Sequence, residues 1–388
     1  MRLALAAASL IAIAACETAV IAPSTPEAAL DAYYATIPDS ALPRAPEGPD
    51  FPAADAPITR ILVGSCNDEE RESPVLQSIA TQEADLFLMI GDNVYGDRDG
   101  RAYTNNDPDL MELRESFADL AARPEFQAAR AAHPMMVAWD DHDYGANDAG
   151  GDFVFRGLAE RIHEVFWGLA DEDVGAWEGT YYARSFGPEG QRVQVIMLDT
   201  RSFRSALRPT DDWGAAGKER YLPATETMMQ DMLGAAQWTW LENQLQEPAD
   251  VRIIASSIQV LTSDGHGYEH WSNLPAERER LFDLIDRTAA NGVVFVSGDR
   301  HTAFLYRHGE ALDYPVHELT ASSMNLSFAD ESDERDSAQI GAGYAPVNFG
   351  AVEIDWDAGE ISLSIHGETG QTVRETRFAI PEAAGAPA

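Results

Sequence analysis

Short, continuous apolar runs recur along the chain, and most of them end in glycine or in acidic residues. A run that is apolar throughout is typical of a strand buried on both faces of a parallel sheet. The pattern therefore predicts a series of buried strands whose exits carry polar groups. The runs lie in "ITRILVGSC", "ADLFLMIGD", "HPMMVAWDDHD", "QRVQVIMLDTR", "VRIIASSIQV" and "VVFVSGDRH".

Between these runs, apolar residues recur at helical spacing. The segments "SPVLQSIATQEA", "AQWTWLENQLQE" and "LPAERERLFDLIDRTAANG" are predicted helices, and Gly292 is expected at the C′ position of the last one. Near the C-terminus, "HELTASSMN", "NFGAVEIDW" and "EISLSIHG" alternate apolar and polar residues, as antiparallel strands do. Alternating strands and helices followed by a β-rich end predict an α/β layered domain.

The first residues, "MRLALAAASLIAIAAC", predict a signal peptide over residues 1–15. The apolar segment is too short for a comfortable membrane span. "IAAC" resembles the lipobox of bacterial lipoproteins, which implies lipidation of Cys16; a plain secretory signal is the alternative. We expect secretion across the inner membrane and a lipid-anchored protein, either on the periplasmic face or at the outer membrane.

The remaining chain is predicted to have three parts. Residues 16–56 are rich in Ala and Pro and are predicted to form a linker with a short helix near Glu27 to Tyr34. Residues 57–380 are predicted to form the folded domain, and residues 381–388 a flexible tail.

The 388-residue chain carries a formal charge of −38, and Lys218 is its only lysine. An acidic surface repels polyanions at long range, so we do not expect binding to long nucleic acids. A small phosphate ester attracted to a bound cation remains compatible with this charge. The sequence does not determine the oligomeric state.

Metal-binding or ionisable residues follow five of the apolar runs. In open α/β sheets, residues at the carboxyl ends of strands meet at one edge, and function gathers there. Several carboxylates crowded together cannot all stay ionised without positive charge, which a multivalent metal ion provides. Solvated turns are the alternative for any single group. The groups are Cys66; Asp92 with Tyr95; Asp140 to Asp143; Asp199; and Asp299 with His301.

The motifs "GSC", "GDNVYGD", "WDDHD" and "SGDRH", in that order, resemble the PhoD-like alkaline phosphatases of the metallophosphoesterase superfamily. The resemblance extends from roughly Ile58 to Ile365. It implies a layered metallophosphoesterase-type β-sandwich flanked by helices. Longer members carry an additional N-terminal β-domain, for which the stretch before the first motif here is too short, so its effect on substrate access stays open.

The resemblance also implies a pair of metal ions bridged by Asp92. Cys66, Tyr95 and His301 would complete a first site that suits Fe(III), and Asp141 and Asp299 would hold a second metal, expected to be Ca²⁺. Two weaker candidates are Asn67, as a contact to substrate or to a ligand, and Gln259, as a carbonyl ligand.

The expected reaction is hydrolysis of phosphate monoesters or diesters by a two-metal-activated hydroxide. His142 is predicted to protonate or hydrogen-bond the leaving alkoxide. Arg201 is either a phosphate clamp or part of a salt-bridged turn, and the sequence does not separate the two. The alternatives are phospholipase D-like or nuclease activity at the same site, or a surface lipoprotein that binds metal or phosphate without turnover.

Overall fold

A computed structural model describes residues 25–101, 106–210, 220–263, 267–328 and 335–381. The chain divides into two compact units, Met1–Ile37 and Pro38–Ala388. The first contains helix α1 (Pro26–Tyr34), in agreement with the predicted short helix, and the Thr25 hydroxyl accepts a hydrogen bond from the Ala28 N–H at its start. The predicted signal peptide, Cys16 and residues 382–388 of the predicted tail lie outside the described residues.

The second unit contains fourteen strands among its described residues. In chain order they are β1 (Arg60–Gly64), β2 (Leu86–Ile90), β3 (Met135–Ala138), β4 (Tyr182–Phe186), β5 (Val193–Met197), β6 (Arg208–Pro209), β7 (Tyr221–Leu222), β8 (Val251–Ala255), β9 (Val293–Ser297), β10 (Phe304–His308), β11 (Val316–Thr320), β12 (Asn348–Asp355), β13 (Glu360–Gly367) and β14 (Thr372–Ala379).

Twelve of these strands form two six-stranded mixed sheets. The first sheet has the order β14-β13-β12-β1-β2-β3, and the second has the order β10-β11-β9-β8-β5-β4. The strands β1, β2 and β3 are parallel, as are β5, β8, β9 and β11, whereas β4, β10, β12, β13 and β14 pair antiparallel. The six predicted buried runs therefore become neighbouring parallel strands, three in each sheet. The outer members β1 and β5 also border the antiparallel strands β12 and β4, respectively.

The two sheets face each other and form a sandwich. Gly350 of β12 lies so close to β11 that a Cβ atom there would stand 2.7 Å from Leu319 Cδ2, which explains why glycine occupies this position. Helices cover the sandwich, and the side chains of α7 and α8 pack with those of β8, β9 and β10 in one apolar core. The α/β sandwich flanked by helices is the predicted fold. The helices of this unit are α2 (Pro74–Ala80), α3 (Met111–Ala122), α4 (Pro124–Ala132), α5 (Asp141–Tyr144), α6 (Arg156–Trp167), α7 (Gly234–Gln246) and α8 (Pro275–Arg287).

Helix α8 ends earlier than predicted. Its last residue is Arg287, and Ala289 adopts the positive φ of 51° just beyond it. Gly292 lies in the following turn with a φ of 62°, where a Cβ atom would stand 2.2 Å from the Asp250 carbonyl oxygen. The predicted C′ position for Gly292 is therefore wrong, because this glycine serves the close approach of two chain segments.

Part of the predicted linker, residues 38–56, belongs to the second unit. The Ala45 N–H donates to the Phe166 carbonyl at 2.9 Å, and the Gly187 N–H donates to the Ala54 carbonyl at 3.0 Å. Residues 38–56 thus have fixed partners despite their Ala and Pro content. Among the described residues, no helix combines the length and the hydrophobicity needed to cross a bilayer.

Candidate metal centre

The predicted site residues lie in the turns that follow the parallel strands. Cys66 follows β1, Asp92 follows β2, Asp141 follows β3, and Asp299 and His301 follow β9. Four of these five residues have positive φ angles: 56° for Cys66, 49° for Asp92, 64° for Asp299 and 53° for His301. Such conformations are uncommon for residues with a side chain and cluster at functional sites. Both sheets therefore direct unusual turns toward one edge.

A thiol, a phenol, an imidazole and a carboxylate meet at this edge. The Cys66 Sγ atom lies 3.4 Å from Asp92 Oδ2, and the Tyr95 hydroxyl lies 3.3 Å from the same oxygen. Tyr95 also lies 3.4 Å from His301 Nε2. All four side chains are at least nine-tenths buried. The predicted ligands of the first metal are thus within reach of one small ion.

Carboxylates gather on the other side of Asp92. Asp92, Asp140, Asp141 and Asp299 offer oxygens that lie within 4.8 Å of one another. Asp92 belongs to this group, to the group with Cys66 and His301, and to a third with Asp141 and His142. Its position between the thiol side and the carboxylate side is the geometry that a bridging ligand requires.

The electrostatics of the cluster favour a bound cation. Burial, reinforced by neighbouring acidic groups, raises the pKa values of Asp92 and Asp299 well above their ordinary range. Burial also raises the pKa of the Cys66 thiol to about 12 and lowers that of His301 to about 4. In the absence of positive charge these groups stay protonated or neutral, whereas a metal ion stabilises their ligating forms.

Two buried oxygens fit a metal or a water bound to one. Asp92 Oδ1 and Asn67 Oδ1 meet no hydrogen-bond partner among the described residues. A buried acceptor without a partner is costly unless an ion, water or ligand satisfies it. The Asn67 N–H donates to the Asp92 carbonyl at 2.8 Å, so the two residues are held side by side. The residues present therefore fit a metal pair.

Further side chains fix the ligands in place. Ser322 Oγ lies 3.0 Å from Cys66 Sγ and accepts the His301 N–H at 2.7 Å. The His301 Nδ1–H donates to the Leu326 carbonyl, which leaves Nε2 directed at the cluster. The Asp143 carboxylate accepts the Asp92 N–H at 3.0 Å and so holds the turn after β2. These contacts make the ligand geometry rigid before any ion binds.

His142 lies at the opening of the cluster and is hydrogen-bonded to Asp97. The His142 Nδ1 atom is 2.7 Å from Asp97 Oδ1, and Asp97 Oδ2 accepts the Asn147 N–H at 2.7 Å. Burial alone would lower the pKa of His142, but Asp141 and Asp97 raise it to about 9. The hydrogen bond to Asp97 through Nδ1 thereby fixes the orientation of the imidazole ring.

A profile of the PhoD-like phosphatase family matches residues 61–152 and 175–364. The chain belongs to this family. The matched residues include every predicted site residue, and the predicted resemblance is confirmed.

The sequence also resembles alkaline phosphatase D of Bacillus subtilis (strain 168), with 25% identity over 282 residues. The match covers 65% of this chain and 47% of that protein, so the chain spans about half the length of this curated relative.

Two solved structures share the fold. A structure of PhoD matches with a TM-score of 0.63 and 18% identity, over 87% of this chain and 76% of the other. A structure of GAP50, the anchor in the inner membrane complex of Plasmodium, matches with a TM-score of 0.52 and 12% identity, over 84% of this chain and 90% of the other. At these identities the likeness shows the fold alone.

Within this PhoD-like family member, Arg201 lies in a buried ion-pair network and does not line the cavity. Its side chain is 0% exposed, binds Asp140 and lies 2.6 Å from Glu269 Oε2. Arg204 pairs with the other oxygen of Glu269 at 2.7 Å. The structure favours the salt-bridged interpretation of Arg201, because its fully buried guanidinium is held by two carboxylates and does not line the cavity. The partners are Asp140 and Glu269, whereas Asp199 accepts only the Arg201 backbone N–H, at 2.9 Å.

Gln259 also has other partners. Its side-chain amide donates to the Tyr306 hydroxyl at 3.0 Å and to Thr320 Oγ1 at 2.9 Å, and its backbone carbonyl accepts the Trp271 N–H at 2.9 Å. These contacts tie the turn after β8 to β10 and β11. They account for the burial of Gln259 without a metal.

A cavity of about 330 Å³ opens over the cluster. Its lining includes Tyr95, Asp141, His142, Asp299 and His301. The volume suits a phosphoryl group with a small organic substituent.

The sequence did not assign a role to Asp97, Asp148 or Glu269. A second acid inside "GDNVYGD" was a signal for Asp97, because a histidine near a metal site commonly has a carboxylate partner. No local signal marks Glu269, since its partners Arg201 and Arg204 lie more than sixty residues away along the chain.

Proposed function

We propose that this PhoD-like protein hydrolyses phosphate esters, monoesters or diesters, at a site containing two metal ions. The observation that carries the proposal is the position of Asp92, whose carboxylate joins a thiol, phenol and imidazole cluster to a carboxylate cluster. When bound, two such cations supply Lewis-acid charge and acidify a water molecule. His142, hydrogen-bonded to Asp97, lies beside this cluster. A positioned proton donor of this kind favours turnover over simple binding of metal or phosphate.

Different metals suit the two halves of the site. Cys66, Tyr95 and His301 provide soft and aromatic donors, for which we propose Fe(III). Asp141 and Asp299 provide hard oxygens, for which we propose Ca²⁺. Asp92 contributes to both halves, and Asn67 is a candidate for an additional contact.

His142 is proposed to act on the leaving group. Asp97 holds Nδ1, so that Nε2 can donate a proton to the departing alkoxide oxygen. The Asp97 carboxylate stabilises the imidazolium before transfer and fixes the ring orientation.

The direct test uses purified protein, elemental analysis and two chromogenic substrates. We expect about one iron per chain, a second cation, a visible absorption band from phenolate bound to ferric iron, and hydrolysis of p-nitrophenyl phosphate or bis(p-nitrophenyl) phosphate. Metal-loaded protein that hydrolyses neither ester would reject the proposed activity. A colourless, iron-free protein with full activity would reject the proposed metal in the first site.

We also propose that the protein is lipid-anchored through Cys16, on the periplasmic face or at the outer membrane. The support is the sequence "LIAIAAC" alone. Expression of the wild type and of Cys16→Ala with radiolabelled palmitate provides the test. Label in both proteins, or in neither, would contradict lipidation at this cysteine.

A further inference from the structure

The cavity over the metal cluster carries arginine side chains that the proposed catalytic and metal-binding roles leave unexplained. Arg220 and Arg300 both line it, in a chain whose formal charge is −38. Cations placed beside a small cavity of an acidic protein attract an anion there. A third arginine, Arg98, also lines the cavity; its guanidinium lies over the Tyr95 ring and binds Asp68, so it does not share the aromatic neighbour of Arg220 and Arg300.

Arg220 and Arg300 share one aromatic neighbour. The guanidinium carbon of Arg300 lies 4.5 Å from the centre of the Tyr268 ring, and that of Arg220 lies 5.2 Å from it. Both distances are within the range of a cation–π contact. Tyr268 thus brings two like charges, from segments eighty residues apart in sequence, to the same cavity wall.

Each of these arginines lies close to a proposed metal ligand, Arg300 along the chain and Arg220 through Asp148. Arg300 stands between Asp299 and His301 in the chain. Arg220 pairs with Asp148 at 3.3 Å, and the Asp148 N–H donates to Asp141 Oδ2 at 2.7 Å. An anion that bound the metals would therefore have both guanidiniums in its neighbourhood. Asp148 itself has a positive φ of 58°, a further sign that this turn is shaped for the site.

We propose that Arg220 and Arg300, with Tyr268 between them, bind the phosphoryl oxygens of the substrate. This inference rests on the proposed function, because it deepens the recognition step of the same site. A planar guanidinium matches two oxygens of a phosphoryl group and remains charged at all working pH values. The phosphate-clamp role that the sequence suggested for Arg201 is thus proposed for Arg220 and Arg300, which line the cavity.

The test compares Arg220→Gln, Arg300→Gln and Arg220→Lys with the wild type. The primary measurement is the dissociation constant of inorganic phosphate, by calorimetry on metal-loaded protein, and it does not depend on turnover. Each glutamine variant is expected to weaken phosphate binding about tenfold or more, since a hydrogen bond to a charged group is lost. Arg220→Lys keeps the positive charge but not the planar, two-pronged guanidinium, so its loss of phosphate affinity should be smaller.

Arg287→Gln is the matched control. Arg287 is on helix α8, half-exposed, and pairs with Glu242 at 3.1 Å, so that the variant removes the same charge and a comparable ion pair outside the cavity. Its phosphate affinity should equal that of the wild type. Elemental analysis of every variant distinguishes a loss of phosphate recognition from a loss of metal. If Arg300→Gln loses metal, the phosphate affinity of Arg220→Gln provides the test of the proposal.

Unchanged phosphate affinity in the fully metal-loaded Arg220 and Arg300 glutamine variants would overturn the clamp. Equal weakening in Arg287→Gln would also overturn it, because the effect would then follow net charge. A wild type that binds phosphate through these arginines yet hydrolyses neither ester would reject the proposed function and leave the clamp supported.

Discussion

Two clusters of buried charge lie side by side at the same sheet edge, and they solve the same problem differently. In one, Asp140 and Glu269 are neutralised by Arg201 and Arg204. In the other, the described residues place no arginine in an ion pair with Asp92 or Asp299. Asp140 connects the two clusters, because its carboxylate also lies near those of Asp92, Asp141 and Asp299. Arginines supply the opposing charge in the first cluster, whereas a bound cation is needed to supply it in the second.

The pKa values express this difference. Burial raises the pKa of Asp140 to about 7, and Arg201 opposes that rise. At Asp92, burial and neighbouring acidic groups raise the pKa well above its ordinary range, and no arginine is among the main causes that act on it. Buried carboxylates alone therefore do not identify a metal centre. The presence or absence of a built-in cation partner distinguishes structural from ligand-binding acids.

Removal of Asp92 should give the largest effect. Asp92→Ala deletes the carboxylate shared by both halves of the cluster, so we expect loss of bound metal and of turnover to the background rate. Elemental analysis and the chromogenic assay measure both. Asp85→Asn, at the opposite end of β2, is the control because its carboxylate accepts hydrogen bonds from the backbone N–H groups of Thr59 and Arg60 and from the Thr59 hydroxyl, far from the metal cluster. Metal retained at full stoichiometry in Asp92→Ala would rule out the bridging role.

Replacement of His142 should slow the chemical step and spare the metals. For His142→Asn we expect a fall in kcat of roughly 100- to 10,000-fold, the usual contribution of a positioned general acid. Single-turnover kinetics together with metal analysis provide the measurement. If the variant loses metal instead, His142 is a ligand and not an acid. Asp97→Asn should show the same defect to a smaller degree.

Disruption of the arginine network should lower stability more than it changes recognition. Arg201→Met leaves Asp140 and Glu269 buried with less compensation, which typically costs about 3–5 kcal/mol of unfolding free energy. Chemical denaturation of the metal-loaded protein measures this loss. Phosphate affinity of the folded variant should stay near that of the wild type; a selective loss of phosphate binding with unchanged stability would restore the clamp interpretation of Arg201.

His163 is a buried titratable residue outside both clusters, and it allows the cost of burial alone to be measured. It is fully buried among Phe117, Trp139 and Trp167, and burial lowers its pKa from 6.5 to about 3. Below pH 6.5 the unfolded chain takes up a proton that the folded chain does not. The stability from this neutral histidine is thus present above pH 6.5 and falls by about 1.4 kcal/mol per pH unit as the pH drops toward 3.

His163→Phe, which keeps a ring in the aromatic cage, should flatten the acid limb of the stability curve by that slope. Denaturation curves between pH 4 and pH 7 provide the measurement, because this range lies mostly between the folded-state and unfolded-state pKa values of His163. An unchanged slope would mean that His163 is protonated in the folded protein.

The sequence by itself determined the buried strands and the residues at their exits, because an apolar run and the polar turn after it are local features. Cys66, Asp92, Tyr95, Asp141, Asp299 and His301 were all accessible in this way. It missed strands such as β14, whose residues are mostly half-exposed or exposed and form no continuous apolar run. It also missed the end of helix α8, where Ala289 takes the conformation expected of a glycine.

Only the tertiary structure decided which charged groups are partners. Whether Arg201 contacts substrate or Glu269, and whether Arg220 reaches the cavity, depends on segments tens of residues apart. Charge interactions act between neighbours in space, and their strength depends on burial, which a sequence pattern does not specify. The sequence therefore identified the acids of this edge, and the fold separated those that arginine neutralises from those that need a metal.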